Sequence, residues 1–257
     1  MRGLLAALRF LTIIPVPPFE DDRIGFPAAI VYFPLVGIIL GVLISGTNLL
    51  AGAILPRFLA ATATIAVWIG LTGALHLDGF VDSADGLLSA RSPEARRRIM
   101  KDVAVGSFGA VALVLLVLAK FSAIVDMYAG SPPTAGFVVT LICAPAVGRA
   151  SMIYAMIRFP AAKDSGLGSR AKESVRPLHL QVAGATCALL PLLLLTVSAN
   201  AWLMYVAVAA SLLIAEIFGR FVVRRVGGFS GDTYGAMCEI VELVVLATSA
   251  AFIGSRV

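Results

Sequence analysis

Long apolar stretches separated by short polar connections constrain this chain more than any other feature. They run over about 28–50, 59–76, 106–128, 136–157, 179–198, 201–219 and 236–254, each near the roughly 20 residues a helix needs to cross a hydrocarbon core. Backbone in lipid must satisfy its own hydrogen bonds, so repeated stretches of this length predict helices. Hydrophobic residues make up 60% of the chain, against about 45–50% in soluble domains. The expected fold class is all-α: a polytopic membrane bundle of about seven transmembrane helices, one integral domain over 1–257 in contact with the lipid bilayer. Residues 1–14 read as a short amphipathic helix in the interface, ended by Pro15, Pro17 and Pro18, and no removable signal peptide is expected. Pro34, Gly37 and Gly41 suit close helix packing in the first span.

The basic residues set the orientation. With the N-terminus inside, the segments 1–27, 77–105, 158–178 and 220–235 hold sixteen of the twenty Lys and Arg, as the positive-inside rule requires. The expected location is therefore the cytoplasmic membrane, with these segments on the cytoplasmic face. The net charge of +5 follows from this distribution and gives no reason to expect nucleic acid. Cys143, Cys187 and Cys238 stand singly and suggest neither a zinc site nor a disulfide framework.

Function is concentrated in the cytoplasmic connection 77–105. His76-Leu77-Asp78-Gly79-Phe80-Val81-Asp82-Ser83-Ala84-Asp85-Gly86 groups three carboxylates in a chain that is 14% charged. On a helix, Asp78, Asp82 and Asp85 share one face at i, i+4, i+7. Their repulsion is relieved by a hard divalent cation such as Mg2+, which takes oxygen ligands and bridges carboxylates to phosphates. His76 reads equally as a general base, a ligand or a locally bonded helix-end residue. Ser92-Pro93-Glu94 marks a helix start, and Arg96, Arg97, Arg98 and Lys101 follow it, a basic turn equally suited to anionic lipid. Asp102, next to Gly106-Ser107-Phe108-Gly109, is a candidate fourth ligand or base.

A second acidic segment, 220–242, contains Gly227-Gly228-Phe229-Ser230-Gly231-Asp232-Thr233-Tyr234-Gly235 and then Glu239 and Glu242. Its glycine-rich backbone opens a helix and can present N–H groups to phosphate. On the same membrane face as Asp78–Asp85, it would complete a metal-assisted phosphoryl-transfer pocket. Arg149 falls mid-span, where an unpaired charge costs at least about 2.5 kcal/mol, so it should meet a carboxylate or a hydrated cavity. Lys120 lies toward the outer end of its span and is expected to snorkel. Glu216 should pair with Arg220, one turn on, and His179 reads as interfacial.

These motifs together carry a resemblance. HLDGFVDSADGL, RRIMKDVAVGSFG, VGRASMIYAMIRFPAAKDSGLG and GGFSGDTYGAMCEIVE, in this order after ALRFLTIIPVP, resemble the cobalamin synthase family over essentially the whole chain. The resemblance implies a Mg2+-dependent cytoplasmic-membrane transferase that joins adenosylcobinamide-GDP to α-ribazole or its 5′-phosphate and releases GMP. It implies His76, Asp82 and Asp102 as catalytic, and Asp78, Asp82, Asp85, Asp232, Glu239 and Glu242 as metal ligands. Substrate contacts would come from Arg91, Arg97, Lys101, Arg149, Gly231 and Thr233. One departure stands out: Val103-Ala104 occupy the places where the family often has Ser-Arg.

Two other readings compete. Asp78-Gly79, Asp82, Asp85-Gly86 and Ala90-Arg91 are similar to the pattern of CDP-alcohol phosphotransferases, but the spacing before Ala-Arg differs and the later acidic residues are absent. A cation transporter would place its carboxylates near mid-membrane in repeated halves, whereas these gather at one face. The sequence leaves the oligomeric state open, a homo-oligomer included.

Overall fold

The computed structural model describes residues 2–17, 28–128, 134–162, 172–195 and 202–253. Glu20, Asp21, Asp22, Arg23, Lys163, Arg170 and Arg256 lie outside them. The helices are α1 (Arg2–Leu11), α2 (Phe33–Ile54, entered through a 3-10 turn at Ile30–Tyr32), α3 (Arg57–Thr72), α4 (Leu75–Leu88), α5 (Pro93–Ile99), α6 (Ser107–Met127), α7 (Ala135–Arg158), α8 (Pro177–Leu194), α9 (Leu203–Val226) and α10 (Gly231–Ile253). Among the described residues six are long and apolar enough to cross a membrane: α2, α6, α7, α8, α9 and α10. The chain is a multi-pass, all-α membrane protein, and α1 forms where the amphipathic N-terminal pattern places it.

The second apolar stretch behaves differently from the rest. It forms α3 and then bends by 91° into α4. Gly73 and Ala74 both have φ of 58°, the left-handed region that a glycine enters freely and an alanine enters at a cost of about 1–2 kcal/mol. Their N–H groups close the end of α3, Gly73 donating to Gly70 O at 2.9 Å and Ala74 to Ile69 O at 3.1 Å. The connection 77–105 is thus largely helical. Its first helix runs across the start of α10, where a Cβ on Gly79 would lie 2.9 Å from Asp232 Cα. Further on it reaches the start of α6, through Asp85, and the end of α9, through Arg225.

The core is built around α7, which is buried along most of its length. Glycines bring α2 against it, as the sequence suggests: a Cβ on Gly41 would lie 2.5 Å from Ile142 Cα, and one on Gly37 2.5 Å from Ala146 Cα. With no hydrophobic drive between helices in lipid, such close backbone approach supplies the packing. On its other side α7 meets α10, whose Cys238 and Glu242 lie over Gly148.

Candidate active site

The two acidic motifs meet where α4 crosses the start of α10. Asp78 is exposed and Asp82 half-buried on α4, and the Gly79 contact sets Asp232 beside them. Asp232 is held by its own helix start: Ser230 Oγ donates to Asp232 Oδ2 at 3.2 Å, and Ser230 N donates to Thr233 Oγ1 at 2.8 Å. Because α4 lies across the starts of α10 and α6 and the end of α9, its acids sit beside the ends of these helices. Partial burial, then the carboxylates of Asp78, Asp232 and Asp85, push the Asp82 carboxyl up to about 6. Asp232 feels the carboxylate of Asp78 and, more weakly, the charge of Lys101.

Among the described residues no three His, Cys, Asp or Glu side chains converge tightly enough to enclose an ion. What stands here is an open patch of hard oxygen donors with excess negative charge. That donor set fits Mg2+, which usually keeps several waters and uses one or two carboxylates plus substrate phosphate.

Asp85 has another environment. It is 8% exposed, and its two oxygens accept from the first turn of α6: Gly106 N donates to Oδ2 and Gly109 N to Oδ1, each at 2.8 Å. A carboxylate borrowed from α4 thereby caps α6, satisfying two N–H groups that a helix start leaves without partners. The two glycines are small because this carboxylate lies against them.

The terminal acids of α10 also go elsewhere. Lys120 Nζ donates to Glu239 Oε2 and to Glu242 Oε2, both at 2.6 Å, and lies 4.7 Å from the Trp68 ring centroid. Arg149 Nη1 donates to Glu242 Oε1 and, at 3.3 Å, to Pro145 O. Arg149 Nη2 stands 3.4 Å from His76 Nδ1. All six charged or ring side chains are under a tenth exposed. Arg149 has met the carboxylate its mid-span position demanded. The expectation for Lys120 is corrected: it does not snorkel outward but turns into the bundle. A helical side chain points back toward its helix N-terminus, which carries Lys120 toward Glu239 and Glu242.

The other residues singled out by sequence divide between surface and structural roles. Arg91 is exposed, and a Cβ on Gly231 would enter open space. Asp102 is exposed and accepts from Ala104 N at 3.1 Å in a local turn. Arg97 donates to Val226 O at 2.8 Å, joining α5 to the end of α9, while Thr233 is fully buried in the Ser230 cap. Ser92 caps α5 by accepting from Ala95 N at 3.4 Å. Glu216 pairs with Arg220 at 2.8 Å, and Arg158 joins them at 2.7 Å. Gly228 packs against the Ala161 backbone, where Phe229 N donates to Pro160 O at 2.8 Å. An apolar cleft of about 260 Å³ between α7, α8 and α9 includes none of the acidic residues.

Comparison with known sequences gives the family. The family described as cobalamin-5-phosphate synthase matches residues 3–250. The chain belongs to this family. Curated cobalamin-synthase relatives include proteins named adenosylcobinamide-GDP ribazoletransferase from Roseiflexus sp. strain RS-1 (36% identical, 94% of this chain and 87% of the relative) and Desulfitobacterium hafniense strain Y51 (38%, 96% and 95%). A third, with the same name, comes from Deinococcus radiodurans (38%, 95% and 84%). No solved structure matches the chain.

Three parts of this cobalamin-synthase chain's site were not read from sequence. Gly79 gives no signal until the α10 backbone lies against it. Arg225 donates from Nε to Leu87 O at 2.8 Å and from Nη2 to Ser89 O at 3.1 Å, capping α4, yet alone it reads as one more inside-positive residue. Trp68 is a tryptophan among apolar neighbours until Lys120 is placed over it. A lysine and two glutamates within apolar stretches were the available signal for the buried pairing.

Proposed function

We propose that this chain is an adenosylcobinamide-GDP ribazoletransferase, acting on the cytoplasmic face of the cytoplasmic membrane with Mg2+ as cofactor. The observation that carries the reading is the meeting of Asp78, Asp82 and Asp232, from two distant motifs, in one open patch beside Lys101. In the reaction an acceptor hydroxyl of α-ribazole, or of its 5′-phosphate, attacks the phosphorus that carries the corrinoid's aminopropanol arm. The new P–O bond forms as the bond to GMP breaks, GMP keeps the bridging oxygen, and the acceptor proton passes to a base.

Phosphoryl transfer of this kind is mainly positioning and charge neutralisation. Asp78, Asp82 and Asp232 are the carboxylates of which one or two would hold Mg2+, and the ion would supply charge neutralisation on the pyrophosphate. Lys101, whose charge reaches Asp232, contributes a cation toward the leaving guanylate, and exposed Arg91 is a second cation for the same role. Asp82 is flanked by the other carboxylates and is the residue on which turnover depends most.

The test is direct. The chain is purified into lipid nanodiscs and given adenosylcobinamide-GDP, α-ribazole and Mg2+, with GMP followed over time. GMP release that needs all three supports the proposal. Protein that binds Mg2+ but yields no GMP with either acceptor form overturns it.

A further inference from the structure

The deeper charges form a unit of their own. At 1.5 Å per residue, Glu239 and Glu242 lie about 12 and 17 Å along α10 from its start, and Lys120 about 20 Å along α6. Glu242 is fully buried and both its oxygens are taken, Oε1 by Arg149 and Oε2 by Lys120. Glu239 gives Oε2 to the same lysine. Two cations and two carboxylates therefore balance in a space closed by Trp68, Cys238 and His76. Buried charges are tolerated only when paired and hydrogen-bonded, and removing one partner strands the other. A carboxylate whose two oxygens are each engaged by a cation is already neutralised and gains little from a metal.

The unit ties together the helices that carry the acidic patch. Lys120 belongs to α6, Arg149 to α7, both glutamates to α10, and His76 to α4. A Cβ on Gly235 would lie 3.1 Å from His76 O, so the α4–α10 crossing continues from the patch into this layer. We infer that Lys120 and Arg149 are positioning residues that act through Glu239 and Glu242 as a charge-neutral clasp. The clasp sets α4 against α10, and so Asp78 and Asp82 against Asp232. This inference rests on the proposed reaction only for its activity readout.

The experiment uses the full chain in nanodiscs and compares Lys120→Met, Glu239→Gln and the double variant Lys120→Met/Glu239→Gln. Each single change leaves one net buried charge, and the double change restores neutrality. Either single variant should lower the melting midpoint by about 10 °C and turnover at least tenfold, with the Mg2+ midpoint within twofold of wild type. The double variant should regain at least half of both losses, a coupling that independent roles do not give. A double variant no better than the worse single one overturns the inference. So does a Glu239→Gln variant whose Mg2+ midpoint rises tenfold, which would make Glu239 a ligand. If a single variant cannot be purified, the double variant decides alone: folded and active supports the clasp, folded and inactive overturns it. Lack of GMP from wild type would refute the reaction and leave the melting comparison standing.

Discussion

Changing Asp85 to Asn separates a capping role from a metal-binding one at the same residue. Asp85 accepts two backbone hydrogen bonds at 2.8 Å while only 8% exposed. Asparagine keeps one acceptor oxygen and turns an amide NH2 toward the other N–H. One charge-assisted bond, about 1.5–3 kcal/mol, is lost, and a buried donor left unmatched costs about 1–3 kcal/mol more. The sum, about 2.5–6 kcal/mol, corresponds to a melting midpoint lowered by about 10 °C for a chain of this size. Thermal unfolding in nanodiscs without substrate measures it. Gly109→Ala is the companion, since its Cβ would sit on Asp85 Oδ2; it should reproduce the fall in melting without removing a carboxylate. An Asp85→Asn protein that melts like wild type but needs tenfold more Mg2+ would refute the capping argument and return Asp85 to the metal.

Asp82→Asn, by contrast, should lower GMP release by several orders of magnitude with little change in melting, while the same change at exposed Asp126 should be near neutral in both. Gly79→Ala places a Cβ 2.9 Å from Asp232 Cα; over-packing of this kind costs about 1–3 kcal/mol, and at least a tenfold loss of turnover should appear in the GMP assay. A reporter fused within 158–178 should read cytoplasmic and one after Ala129 external, and the reverse pattern would overturn the orientation.

The fold was largely legible because lipid imposes a coarse code. Span length in six of the seven stretches, the N-terminal amphipathic pattern and the Ser92-Pro93 helix start each depend on residues within a few turns of one another, and each reappears in the structure. The pairing of Arg149 was readable in part: a mid-span charge needs a carboxylate or a hydrated cavity, and the structure gives it the carboxylate. The site was legible only as a set of acids. Which oxygen faces what depends on contacts between helices distant in sequence: Asp85 with Gly106 and Gly109, Lys120 with Glu239 and Glu242, Arg225 with Leu87. Helical spacing puts Asp78, Asp82 and Asp85 on one face, but it carries no information about the start of α6, which takes the third of them. The bend at Gly73–Ala74 was hidden for a related reason. One of its two left-handed residues is an alanine, a type that gives no warning of that conformation.

The carboxylate partners of Lys120 and Arg149 lie in a helix that follows both cations in the chain. Both cations enter the bilayer with α6 and α7, and Glu239 and Glu242 arrive only with α10. A nascent chain that stops after α9 therefore holds two cations in the apolar layer without the carboxylates that pair with them in the finished protein. At a cost of at least about 2.5 kcal/mol for each such charge, this unfinished chain differs in membrane stability from the complete one. The same residue pairs that order the bundle thus form only once α10 has joined it.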